Sequence, residues 1–386
     1  MKKSLAAAAA VLAALMLGGC ENGSLYSDMR EIDQLELIQT IGLDAEKNGY
    51  ITATAASGLN LGSGSHTVLE NTSRTVARAL REMQNYTSKK YIFYSHTKYL
   101  LIGEDAAREG LGRYLDYVER AVDVRLNTGL IIVRGGTANE LIKQTSSDDE
   151  STGELLESLD KDTRLMSESS VSTCGEVAER LAETGSALAA AVILEQDEEG
   201  EYRISSAGYA IIKEGALAGY IDTNLSRAVN LLTNAVEGDV TEVPDGNGGY
   251  AALRITGGDS SFNAEFSDGR PASIRIDAKI NANIEELSGR LDIYDGSVTD
   301  CLAAELARLE AERIRGVLEI SRELECDFLD IGGRIRTKHP IAYDSIAEDW
   351  AGCLAQSEIS VSVDARIERT YDIGIPLEDD GEENAE

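Results

Sequence analysis

Cysteine and histidine are the residues of this chain best suited to chemistry, and their spacing decides how much they can do. His66, His96 and His339 are widely separated, and none has a second His or Cys at helical spacing, so no zinc site is indicated. No GxSxG nucleophile elbow, Walker loop or SxxK motif occurs. The segment Leu61-Gly62-Ser63-Gly64-Ser65 precedes an expected helix but lacks the Lys-Ser/Thr pair of a phosphate loop. Acidic pairs such as Asp148-Asp149 and Asp197-Glu198 fall in polar turns, where solvation explains them better than a glycosidase dyad.

Cys20 is the residue whose reaction can be named. It closes the tetrapeptide Leu17-Gly18-Gly19-Cys20, behind a positive start (Lys2, Lys3) and an apolar run from Leu5 to Leu17. This is secretory-signal layout, and two glycines before a cysteine let a peptidase approach the backbone closely. The expected chemistry is an S-diacylglyceryl thioether on Cys20, cleavage between Gly19 and Cys20, and N-acylation of the new amine with palmitate-type chains. The apolar run is 13 residues, short of the roughly 20 that span a bilayer. Acyl chains would hold the exported protein on a membrane, each buried CH₂ adding about 0.8 kcal/mol. No catalytic residue, metal ligand or cofactor site is expected elsewhere.

The chain behind that cysteine has the size and composition to fold. Removal of residues 1–19 leaves 367 of 386 residues, enough for two or three domains, and 42% hydrophobic residues suffice for their cores. Net charge is −32, and becomes −34 once Lys2 and Lys3 are removed. Such a surface is repelled by phosphate backbones, so no nucleic-acid partner is expected. The terminal run Glu378-Asp379-Asp380-Gly381-Glu382-Glu383-Asn384-Ala385-Glu386 is a like-charge block expected to be disordered. Cys174, Cys301, Cys326 and Cys353 permit three disulfide connectivities. They lack CxxC spacing in a chain large enough to need no staples, so four free thiols are expected.

Hydrophobic patterning predicts strands at 36–43 and 50–56 around an Asn48-Gly49 turn, then an amphipathic helix at 67–86 carrying Val68, Val76, Leu80 and Met83. Short strands follow at 91–94 and 99–102, a helix at 106–118, a strand at 128–133 and a helix at 138–144. Beyond a polar stretch at 145–153, a helix is expected at 174–183, strands at 187–195 and 202–213, a turn at 215–219, and a helix at 224–233. Alternating runs at 250–256, 260–266 and 272–284 suggest an antiparallel meander with one wet face. The longest helix runs from about 298 to 325, capped by Ser297, with Cys301 on its apolar face. A short helix at 345–354 and a strand at 359–367 close the pattern.

The fold class expected is α+β and multi-domain, with mixed or antiparallel sheets each packed with helices and a long helix in the C-terminal domain. The division expected is a signal peptide (1–19), a lipidated tether (20–29), an N-terminal α/β domain (30–145), a linker and middle α/β region (146–203), a C-terminal α+β domain (204–371) and a disordered acidic tail (372–386).

Several segments, read in order, resemble the Ger(x)C family of spore-germination lipoproteins. They are Arg30 to Ile38 running into Ile41-Gly42-Leu43-Asp44; Tyr94 to Glu104 with Ala107 to Leu111; and Ser206 to Lys213 with Leu217 to Ile221. Cys326-Asp327-Phe328-Leu329-Asp330-Ile331-Gly332 with Pro340 and Asp349-Trp350, and the strand Val361 to Glu368, complete the set. The chain departs from the family in having no Trp after Cys20, an unusually acidic tail and a last strand without the Arg-x-Gly ending. The resemblance implies a non-enzymatic C subunit of a germinant receptor, on the outer face of the spore inner membrane. Its partners would be integral-membrane A and B subunits, and no residue is nominated for contact with a nutrient. From the residues alone, Asp327 to Gly332 reads as a helix exit into a strand with Gly332-Gly333 at positive φ, His96 as a turn residue, and Trp350 as a core anchor. A solute-binding lipoprotein of an importer is the alternative reading; it predicts two similar lobes of repeated strand–helix units.

Overall fold

Strands buried on both faces read as unbroken apolar runs, and Tyr99–Gly103 and Gly129–Val133 are of this kind. They lie in the middle of a large mixed sheet. The computed structural model describes residues 31–58, 66–87, 90–147, 150–246, 248–267, 269–288 and 296–369. Cys20, Gly19, the Gly62 loop, Asp148-Asp149 and the acidic tail lie outside the described residues.

The first sheet is built from β1 (Leu35–Ala45), β2 (Ile51–Ser57), β3 (Val68–Ser73), β4 (Tyr91–Phe93), β5 (Tyr99–Gly103), β6 (Gly129–Val133), β7 (Ser186–Gln196), β8 (Tyr202–Lys213) and β9 (Ala216–Ile221). Its order is β3-β2-β1-β5-β6-β7-β8-β9, with β4 paired to the start of β1. The centre from β1 through β7 is parallel, and both flanks are antiparallel. Helices cover both faces. On one face lie α1 (Val76–Glu82), α2 (Glu104–Glu109), α3 (Gly112–Arg120) and, further along the chain, Cys174–Thr184. On the other lie α4 (Ala138–Thr145) and α5 (Thr152–Leu165). Alternate residues feed the two cores: Leu100 and Ile102 pack into the first, Leu101 and Ile131 into the second. With Cys174–Thr184 as α6, this part of the molecule has three layers.

Helix α7 (Thr223–Thr233) leads into the second sheet of β10 (Asp239–Pro244), β11 (Tyr250–Ser267), β12 (Arg270–Leu287) and β13 (Glu358–Arg369), ordered β10-β11-β12-β13. Between β12 and its parallel neighbour β13 come α8 (Gly296–Glu323), α9 (Ile331–Lys338), α10 (Pro340–Asp344) and α11 (Trp350–Gln356). They cover one face, while Arg254, Glu265, Arg275 and Lys279 stand exposed on the strands. The molecule is thus α+β, with two mixed sheets each packed with helices. A nine-stranded and a four-stranded sheet are unlike one another, so the twin lobes of an importer's solute-binding protein do not appear among the described residues.

Several local expectations need correction. The helix predicted over 67–86 is a strand at 68–73 followed by α1, which starts after the N-cap Thr75, whose hydroxyl accepts from the Arg78 amide. Strand pairing to β2 overrides the local periodicity there. The helix at 106–118 is two helices, broken at Gly110, whose φ of 121° no helix accommodates. The turn expected over 215–219 ends at Gly215, and residues from Ala216 on form β9. The runs at 250–256 and 260–266 are one strand, kinked where the register shifts between Ile255 and Gly257. Cys301 is exposed, because α8 buries the stripe through Leu302, Leu306, Ile314 and Val317 instead. That helix begins at Gly296, so Ser297 is inside it. Asp327–Gly332 leads into helix α9, not a strand, and the positive φ belongs to Asp330 (60°) while both glycines are helical.

Candidate functional site

The segments that carried the family resemblance meet in space at two junctions. At the first, β1 carries Asp44 one residue before its end, a carboxylate buried at 4% exposure. It accepts from the backbone amides of Ala138 and Asn139, both at 2.8 Å, and so anchors the start of α4. Burial pushes its carboxyl up to about 6; the two amides oppose this without cancelling it. Gly103 of the second segment lies against it: a Cβ there would sit 2.1 Å from the Asp44 Oδ1. The next residue, Glu104, accepts from the Tyr220 hydroxyl of the third segment (3.0 Å), from Arg108 (2.6 Å) and from the Gly135 amide. Burial raises the Glu104 carboxyl, but these three donors together hold it below the usual carboxylate value. Arg134 stacks over the Tyr220 ring at 4.6 Å and pairs with Asp222 at 2.6 Å.

The second junction centres on Asp327. Its fully buried carboxylate accepts from the Ile331 amide (2.9 Å), the Gly332 amide (2.7 Å) and the Trp350 indole N–H (2.7 Å). Burial still wins, and the carboxyl is raised above its ordinary value. Gly332 must be glycine for this to close, since a Cβ would come within 2.5 Å of the Trp350 Nε1 and 2.7 Å of the Tyr343 Oη. Trp350, 5% exposed, is the core anchor expected of it. Two bonds tie the junction to the first sheet: Lys213 Nζ donates to the Leu324 carbonyl at the end of α8 (2.8 Å), and Ser186 Oγ to the Asp327 carbonyl (3.0 Å).

Neither junction presents a nucleophile beside a base. The thiols of Cys174, Cys301, Cys326 and Cys353 are free, and burial pushes Cys174 up to about 12, which disfavours the reactive thiolate. His96 is exposed in its turn beside Phe93, at 5.7 Å between ring centroids. Among the described residues no group of three or more His, Cys, Asp or Glu could hold a metal, and no helix is long and apolar enough to cross a membrane. What the junctions do is lock elements together. Sequence reading found the motif residues but not that Asp44 and Asp327 cap helices. The Asp44 cap forms across 94 residues and leaves no local signal. The Asp327 segment reads as a helix exit into a strand, although the amides it caps are only four and five residues on.

A third concentration of charge escaped sequence reading. Arg227, 4% exposed, donates from Nε (3.0 Å) and Nη2 (2.8 Å) to the Glu310 carboxylate, and also pairs with Asp239 and bonds the Thr241 hydroxyl (3.0 Å). It joins α7, β10 and α8.

Comparison with known proteins places this architecture. Residues 28–194 match the spore germination protein N-terminal domain, and residues 207–371 match the C-terminal domain described as spore germination B3/GerAC like. The chain is 21% identical to spore germination protein KC of Bacillus subtilis (strain 168), over 96% of both chains. Its fold matches the crystal structure of the GerBC protein with a TM-score of 0.58, at 16% identity, covering 85% of this chain and 97% of that one. The chain belongs to the Ger(x)C family of spore-germination proteins.

Proposed function

We propose that this protein is the lipid-anchored C subunit of a spore germinant receptor, acting by assembly rather than by catalysis. Cys20, S-diacylglycerated and N-acylated after cleavage behind Gly19, would hold it on the outer face of the spore inner membrane, where integral-membrane A and B subunits are its partners. The observation that carries the reading is the pair of germination-family domains filling residues 28–194 and 207–371 behind the tetrapeptide Leu17-Gly18-Gly19-Cys20. The interlocked junctions suit a rigid docking body, and neither offers a reacting group.

The test is Cys20→Ala in the sporulating host. The variant should lose its acyl mass, leave the membrane fraction and slow nutrient-triggered germination at least tenfold. Wild-type germination with the protein off the membrane would sink the anchor's role. Co-purification of membrane subunits with the wild-type chain tests the partners separately.

A further inference from the structure

A cleft of about 600 Å³ runs between α1 and α3 in the first domain, and its lining combines an apolar floor with arginine-bearing walls. The floor is apolar, formed by Ile51, Val76, Leu80 and the rings of Tyr94 and Tyr117. The walls carry four guanidiniums, Arg74, Arg81, Arg113 and Arg120, against two carboxylates, Asp116 and Asp123. On a chain with 36 basic and 68 acidic residues, that local excess of positive charge inverts the average.

The arginines come from both sides. Residues 113, 116, 117 and 120 follow the i, i+3, i+4, i+7 spacing of one helical face, so α3 turns Arg113, Asp116, Tyr117 and Arg120 together toward the cleft. Opposite, Arg74 precedes α1 and Arg81 lies in its last turn. Three of the four are positioned by the protein: Arg120 pairs with Asp116 (2.7 Å), Arg113 bonds the Tyr114 hydroxyl (2.7 Å), and Arg74 stacks over Tyr50 at 5.3 Å. The exposed Arg81 guanidinium has no ion-pair or hydrogen-bond partner among the described residues. Val122, 97% exposed, extends the apolar surface at the rim.

We propose that this cleft binds a small anion carried on an apolar body, with Arg81 as the primary reader of a carboxylate or phosphate head. Its volume falls within the roughly 300–1,000 Å³ range of small-ligand sites, which combine apolar lining with a few placed polar groups. Guanidinium offers paired N–H donors that match both oxyanions, and the apolar floor accepts the body. The proposal does not depend on receptor assembly.

The experiment uses the full chain in phosphatidylcholine nanodiscs and ligand-detected NMR with 3-phenylpropionate, phenyl phosphate and the neutral 3-phenylpropionamide. At least one anion should bind ten times more tightly than the amide. Arg81→Gln, at an exposed unpaired position where folding should be unaffected, should weaken that anion at least fivefold, whereas Arg275→Gln on the exposed face of β12 should not. Which anion binds separates a carboxylate site from a phosphate site. Equal binding of anion and amide, no binding of either anion, or binding unchanged in Arg81→Gln would overturn the proposal.

Discussion

At the scale of single residues, the buried carboxylates decide most. The Asp44 carboxyl has a pKa of about 6 in the fold against a reference of 3.8, so the folded protein holds this proton more tightly than the unfolded chain. Its contribution to stability is complete below about pH 4 and is lost as pH rises through 6; two pKa units correspond to about 2–3 kcal/mol. Asp44→Asn keeps an acceptor for one amide and never ionises, so its stability should fall less steeply than wild type between pH 4 and 6.5. Urea denaturation across that range checks this, and parallel curves would show that Asp44 does not titrate there. Asp327 makes a sharper case. Asp327→Ala strands three buried donors and should cost about 3–5 kcal/mol, whereas Trp350→Phe removes one donor and should cost about 1–2 kcal/mol. Because both mutations break the same bond, the double variant should cost less than the sum, as a double-mutant cycle would measure. Legibility at this scale was uneven. Trp350 and the Asp327 segment stood out in the sequence, but the bond joining them spans 23 residues and nothing in either segment foretells it.

At the scale of elements, the apolar strands were readable because burial on both faces leaves an uninterrupted pattern, as in Gly129–Val133. Residues 67–86 were not. Val68, Val76, Leu80 and Met83 fit a helical period, yet β2 offers residues 68–73 a row of ladder partners, and pairing outweighs local preference. The salt-bridged joint between α7, β10 and α8 was equally hidden, since Arg227 and Glu310 lie 83 residues apart. Its weight can be measured. Glu310→Ala leaves a buried guanidinium with Asp239 and Thr241 but without its main partner, and should lower stability by about 3–5 kcal/mol. Replacing all three, as Arg227→Met with Glu310→Leu and Asp239→Asn, removes the uncompensated charge and should recover much of that loss. Equal losses in the single and triple variants would show that packing, not charge, holds the joint.

At the scale of the whole molecule, the boundary between the two family domains does not coincide with a gap in the structure. The N-terminal match ends at residue 194, inside β7, and the C-terminal match starts at 207, inside β8. These strands form one antiparallel hairpin of the first sheet. Strand β8 also serves both cores: Ala210 and Ile212 pack with the first, Tyr209 and Ile211 with the core built from α7, α8, β11 and β12. A shared wall of this kind makes the halves interdependent. A fragment spanning 28–194 would lose β8 and β9, leave the ladder edge of β7 unpaired, and expose apolar side chains that Ala210, Ile212 and Leu217 normally cover. It should aggregate when expressed alone. Extending it to Ile221 restores both strands and should yield soluble protein with a cooperative thermal transition, although Tyr209 and Ile211 would then face water. Circular dichroism melts and size-exclusion chromatography of the two fragments, run beside the full chain, test this. A shorter fragment that is monomeric and melts cooperatively would mean that the first sheet is complete without its last hairpin. The interlocking also bears on assembly: a partner docking on either half would meet a surface whose position is fixed through β8 to the other half, so movement at one end is passed through packed strands rather than absorbed by a linker.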